Sequence, residues 1–285
     1  MGLGDFRQIP PVIAGAGAAE IELHTVRHAE AWPALATREL RTALRITDKK
    51  YGKFVDRLGE GRVPAEAPPN YTRLPDIPYT TSFDDVISHL YPAGFAATSE
   101  PDKAHRHVLA PHAATVTTLN HEIQKLAPGP LRDLVGTTFL DGADGLDDSW
   151  ANRNLESLSV NNVPDHVLQL KVGDLCSLVR AVSRENNLLN NTKVYVREIS
   201  KHFVYVQPVD ADGLRDVIHP LPRFLFKFPA ARLGMTVVRR QFPLRLAYAM
   251  TINRAQGPPC FEARHVFPSP PPPPFLVRLI LCFHF

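Results

Sequence analysis

Cysteine is nearly absent. The 285 residues hold three, Cys176, Cys260 and Cys282, an odd number with no CxxC spacing. That excludes a disulfide framework and a cysteine-built zinc site, and it points to a reducing compartment. A long apolar run is missing too. The last segment, FLVRLILCFHF, is 11 residues long and carries Arg278, whereas a membrane-spanning helix needs about 20 apolar residues. Asp5 and Arg7 interrupt any apolar stretch at the start, so no signal peptide is expected, and no membrane partner. HRH at 105–107 has metal-like spacing, but no second pair completes a site. DGADGLDD lacks the alternating oxygens of a calcium loop. No metal site is expected.

What is there is ordinary globular material, 44% hydrophobic and 21% charged, enough to bury a core. The net charge of +3 permits a nucleic-acid partner without requiring one. Its distribution says more. Acids dominate from Asp133 to Asp165, against only Arg153, while Arg215–Arg254 carries eight cations against only Asp216. A phosphate-rich ligand belongs on that basic stretch.

The periodicity reads as α followed by β. AWPALATRELRTALRI reads as a helix followed by a short strand. TDKKYGKFVDRLGEG predicts a helix with Tyr51, Phe54, Val55 and Leu58 on one face. Pro64 to Pro78 reads as a loop. TSFDDVISHLYP predicts a short helix capped by Ser82, with Asp85 three residues on. HVLA followed by ATVTTLNHEIQKL predicts a strand and a helix with Val116, Leu119, Ile123 and Leu126 inward, a βα unit of a parallel sheet. DGADGLDD reads as a loop. From about residue 167 short alternating strands suggest a small barrel. FPLRLAYAMTINRAQG returns to α/β character. Beyond Gly257 lies a proline tract, unsuited to a helix or central strand but able to serve as a polyproline ligand.

Three strings carry chemistry. In GDFRQ, a strand ending in Asp5, Arg7 and Gln8 puts polar groups where α/β proteins bind ligands, and a Gln amide can hold a phosphate oxygen and a water together. Taken alone the string reads more readily as a surface turn. VLAPHAATVTTLN is a generic βα unit. MTINRAQG gathers Thr251, Asn253, Arg254, Gln256 and Gly257 in one short turn, where the glycine allows close backbone approach.

GDFRQIPPV, VLAPHAATVTTLN, LKVGDLCSLVR with NNLLNNTKVYV, and RRQFPLRLAYAMTINRAQG occur in that order. Together they resemble the Pif family of superfamily-one DNA helicases, in its eukaryotic and Helitron-transposon branch, over about residues 1–257. The resemblance implies an α/β fold: a RecA-like P-loop NTPase helicase fragment with a small β-barrel insert. It divides the chain into a remnant of the first RecA-like domain with its linker (1–98), a second RecA-like domain (99–166 and 235–257), the barrel insert (167–234) and a Pro-rich, disordered or spurious tail (258–285). Gln8 would sense the γ-phosphate, supported by Asp5 and Arg7. Thr251, Asn253 and Arg254 would lie near single-stranded DNA, and Gln256 and Gly257 near the nucleotide. The implied cofactors are ATP and Mg2+, the partner single-stranded DNA, the location nuclear. The activity would be ATP-driven 5′-to-3′ unwinding in repair, recombination, telomere maintenance or transposition.

The sequence departs from that pattern. No GxxxxGK[ST] occurs, GDFRQ begins at residue 4, and no final arginine motif follows Gly257. Without the loop's amides and Lys little cradles the β- and γ-phosphates. The expectation is a fragment truncated at both ends, inactive by itself. Its alternatives are a non-catalytic single-strand-binding relic and a Pro-rich interaction protein. RAQG stands for Lys-Ser-Gln-Gly, no arginine stands in APHAATV, and NNLLNNT has Asn where Gly is expected, a residue that tolerates positive φ.

Overall fold

The structure, a computed structural model, describes residues 13, 15–36, 38, 49–59, 82–141, 155–158, 160, 162–210, 213–230, 235–255 and 262–265. The chain divides into two compact units, Met1–Tyr79 with Arg278–Phe285, and Thr80–Val277. The first contains helices α1 (Ala18–Leu23) and α2 (Lys49–Gly59), with short 3-10 turns at Val26–His28 and Trp32–Ala34. Helix α2 is the one expected from TDKKYGKFVDRLGEG, with Phe54 and Val55 half-buried. Most of RELRTALRI, all of Pro64–Pro78 and the DGADGLDD loop beyond its first residue lie outside the described residues.

The second unit begins with α3 (Phe83–Leu90). Ser82 caps it as the sequence predicts, its Oγ accepting from Asp85 N at 3.4 Å, and Val86 and Leu90 are buried. Helix α4 (Glu100–His105) follows, capped by Ser99, whose Oγ accepts from Asp102 N at 3.2 Å. Next come β1 (Arg106–Ala110) and α5 (Ala113–Leu126). Strands β2 (Arg132–Val135), β3 (Thr137–Leu140), β4 (Val167–Leu170), β5 (Leu175–Leu178), β6 (Lys193–Ile199) and β7 (Val204–Asp210) succeed them. The rest are β8 (Gly213–Leu214), β9 (His219–Leu221), β10 (Phe224–Ala230), β11 (Met235–Gln241), β12 (Leu244–Leu246), β13 (Ala249–Thr251) and β14 (Glu262–His265).

Strand β1 pairs in parallel with β13 and with β14, giving the order β13-β1-β14. That is the parallel sheet the βα unit predicts, and Val108, Leu109 and Ala110 are buried in it. Strand β14 comes from the segment beyond Gly257 and sits at an edge; its four residues, Glu262–His265, include no proline and so can pair. The open edge of β13 is closed by a side chain. Asn120 of α5 donates Nδ2 to Ala249 O at 3.0 Å and accepts from Ala249 N at 2.8 Å, as a neighbouring strand would. Leu119 and Ile123 of α5 are buried as expected and Val116 is half-buried. Leu126 is 42% exposed, because the helix ends there.

The β-rich region departs from the barrel expected of it. Its strands form an open sheet, β12-β5-β6-β7-β8, with β9 also on β7, a separate sheet β10-β11-β3, and the pair β2-β4. Among the described residues no closure joins the edges. Strand β8 has two residues and β9 three, the middle one Pro220, which lacks an N–H; neither offers a ladder long enough to close a ring. Asn187 and Asn191, standing where glycine was expected, hold φ of 52° and 68°. The core runs through both parts of the unit, from Leu90, Val108 and Ile123 to Leu175, Val194, Val196, Val206 and Leu244.

Candidate nucleic-acid interface

The candidate site lies where the parallel strands end. Ala110 of β1 pairs with Thr251 of β13, so both C-terminal ends stop at one edge, the usual ligand side of an α/β sheet. A four-residue helical turn, Ile252–Ala255, continues directly from β13 and carries Arg254. Thr251 is half-buried, while Ile252 is buried and anchors the turn. Two Tyr248 contacts fix the strand from behind. Its Oη donates to Asp174 Oδ1 at 3.1 Å and accepts from Leu175 N at 3.1 Å.

Arg254 Nη2 donates to Asn162 Oδ1 at 3.1 Å. Arg245 of β12 donates its Nη2 to the same oxygen at 3.2 Å. Two guanidiniums therefore converge on one neutral amide. Arg245 Nε is buried without a hydrogen-bond partner. None of the ion pairs among the described residues includes either arginine. Burial, then the like charge of Arg254, pulls Arg245 down to about 9, and Asp165 offsets this only through space. Burial alone lowers Arg254. Both remain cations at neutral pH, half-buried on either side of an exposed Asn162.

The acceptor is placed by β11. Buried Arg239 donates Nη1 to Pro164 O at 3.0 Å and Nη2 to Leu155 O at 2.9 Å, with Nε on Thr138 Oγ1 at 3.1 Å. Two residues on, on the same face, Gln241 Nε2 donates to Leu134 O at 2.7 Å and His166 O at 2.8 Å. The segment around Asn162 is thus tied down on both sides. Asn162 itself holds φ 65°, a left-handed conformation that Asn tolerates better than most residues.

Of the residues singled out from sequence, Thr251 and Arg254 stand at this edge. Asn253 belongs to the same turn, and its side chain lies outside the described set. Asp5, Arg7, Gln8, Gln256 and Gly257 also lie outside the described residues. Arg245 and Asn162 were missed as site residues. Arg245 carried one signal, its place in the basic stretch; Asn162 carried none. The HRH triplet has ordinary partners. His105 Nδ1 meets Pro101 O at 2.8 Å, and His107 Nδ1 meets Ala247 O at 3.0 Å.

The architecture is α/β, of the RecA-like kind found in helicases. Among solved structures it is similar to the Pif1 helicase from Candida albicans, at 17% identity and a TM-score of 0.56, over 89% of this chain and 55% of that one. It is similar also to the Bacteroides Pif1 helicase in complex with ADP-AlF3 and single-stranded DNA, at 17% identity and a TM-score of 0.57, over 92% of this chain and 54% of that one. The chain spans about half the length of these structures. No family model matches it, and no curated protein does. No helix among the described residues is long and apolar enough to cross a membrane.

Proposed function

We propose that this chain is a segment of an ATP-dependent 5′-to-3′ DNA helicase of the Pif type, of the eukaryotic and Helitron branch, serving repair, recombination, telomere maintenance or transposition in the nucleus. The supporting observation is the Pif1-like fold over most of the chain, combined with a cationic edge at Thr251–Arg254. In this reading Thr251, Asn253 and Arg254 border single-stranded DNA. Gln8, Asp5, Arg7, Gln256 and Gly257 face the nucleotide, which Mg2+ would accompany. The domain limits are those given above, with 1–98 as the remnant of the first RecA-like domain. No GxxxxGK[ST] stands in the chain, so no step of ATP hydrolysis is assigned to these residues, and the chain alone is inactive.

A second reading is favoured by the paired arginines on Asn162: the chain binds single strands without catalysis. One experiment separates the two from their rivals. The purified chain should bind a fluorescent oligothymidylate with affinity that falls steeply as salt rises, and should release no phosphate from ATP. Absence of binding at low salt overturns both readings. ATP hydrolysis stimulated by the strand overturns the claim of inactivity.

A further inference from the structure

The pair of cations, which only Asp165 offsets and only through space, asks for an anion. Half-buried guanidiniums such as these two are commonly paired with carboxylates, because partial loss of water weakens the solvation of their charge. Here a carboxylate would fit: aspartate has the shape of Asn162 and tolerates its φ of 65°. The position holds a neutral amide instead, on a segment that Arg239 and Gln241 clamp through backbone carbonyls. A neutral acceptor orients both forks and leaves their charge unspent. Arg245 Nε, buried and without a hydrogen-bond partner, supplies a further donor.

We infer that Arg245, Arg254 and Asn162 form a phosphate-binding site, in which a phosphate oxyanion is gripped by both guanidiniums while Asn162 Oδ1 holds them in register. Planar guanidinium forks match tetrahedral oxyanions bidentately, which a lysine in either place would not. The site stands at the C-terminal end of β13, where the parallel strands present their ligand edge. Assigning the phosphate to a DNA strand rests on the helicase reading; the site itself does not.

Inorganic pyrophosphate tests the site directly on the full chain, followed by the NMR signal of Arg245 Nε–H, assigned through Arg245→Gln. A saturable shift is expected in the wild type. Asn162→Gly keeps the backbone conformation and both cations but removes the oxygen that holds the forks in register, and should weaken pyrophosphate by about threefold. Asn162→Asp places a competing carboxylate between the forks, and should raise the thermal midpoint while weakening pyrophosphate by more than about tenfold. No saturable shift in the wild type, or equal affinity in Asn162→Asp, overturns the proposal.

Oligothymidylate then identifies the source. If the phosphate belongs to a strand, Asn162→Asp should reduce the salt slope of binding by about 0.7, the value for one single-strand contact. An unchanged slope together with lost pyrophosphate binding keeps the site and assigns it to a nucleotide or free phosphate. Pyrophosphate binding by a wild-type chain that ignores oligothymidylate overturns the helicase reading and leaves the site standing.

Discussion

Arg197 of β6 grips Glu100 of α4 with both arms of its guanidinium, Nη1 to Oε1 at 2.8 Å and Nη2 to Oε2 at 2.5 Å. It is one of three alternate residues of β6 that reach the same segment. Tyr195 Oη donates to Glu100 O at 2.5 Å, and Lys193 Nζ to Ala104 O at 2.5 Å. Period-two alternation thus aims one strand face of the β-rich region at the helix leading into β1. Both partners of the ion pair are about a quarter to a third exposed, so solvent screens it. Replacing Glu100 with Ala should therefore cost about 1–2 kcal/mol, read as a lower urea midpoint at unchanged slope. No loss would mean the pair is fully screened.

Tyr248→Phe should be costlier than its single oxygen suggests. The hydroxyl serves two buried groups, Asp174 Oδ1 and Leu175 N. Asp174 also accepts from Lys171 N at 2.7 Å and from Gln124 Nε2. Removing the hydroxyl leaves the Leu175 amide without that acceptor, a loss of about 1–3 kcal/mol. Thermal unfolding checks it, and a change below about 0.5 kcal/mol would show that water takes the place of the hydroxyl.

Stability should fall as pH drops through about 6.5. His107 is fully buried, and burial, then the nearby Lys193 and His105, hold it well below the ordinary histidine value. Lys193 Nζ stands 2.7 Å from its Nε2, a contact that leaves that nitrogen as acceptor and the ring neutral. The unfolded chain therefore takes up a proton that the folded chain refuses, at about 1.4 kcal/mol per pH unit below the unfolded pKa. Asp174, raised by burial, works in the opposite sense. The difference between wild type and His107→Asn isolates the histidine: it should narrow from pH 7.5 to pH 5.5. Parallel profiles would place the neutral ring elsewhere.

Arg239→Met should loosen one segment selectively. Its guanidinium also stacks over Phe228 at 5.4 Å, so methionine preserves part of the packing while the carbonyls of Leu155 and Pro164 lose their donor. Hydrogen exchange should quicken over 155–166 and stay unchanged in β5–β7. Uniform acceleration would instead mean global destabilisation.

Much of this architecture could be read along the chain because it is periodic. The Ser82 cap, the buried HVLA strand and the apolar stripe of α5 all follow from local spacing. What escaped reading depends on distant backbone. Asn120 and Gln124 look like a polar flank of α5, yet both are buried, because Ala249 and Asp174 wait for them. Arg239 and Gln241 look like solvent positions of an alternating strand, and they face carbonyls of a segment 75 or more residues away. The barrel misled for a related reason: alternation shows that strands exist, whereas closure depends on how long the last ones run. At the candidate site Arg254 was legible from its string. The convergence of Arg245 upon Asn162 was not, since it exists only once β11 has pinned that loop.

The pairing of β1 has a consequence for synthesis. The ring of His107 meets the carbonyl of Ala247, 140 residues further along. Strand β1 thus leaves the ribosome with Val108 and Leu109 uncovered and both of its sheet neighbours still untranslated. At roughly 5–20 residues per second the wait lasts on the order of ten seconds. Strands β5, β6 and β7, joined by connections of 14 and four residues, can assemble during that interval, as low contact order favours. Among the described strands β1 is the first that the ribosome delivers, yet it is among the last to find its partners, so a chaperone that shields a single apolar strand would act on this protein between those two moments.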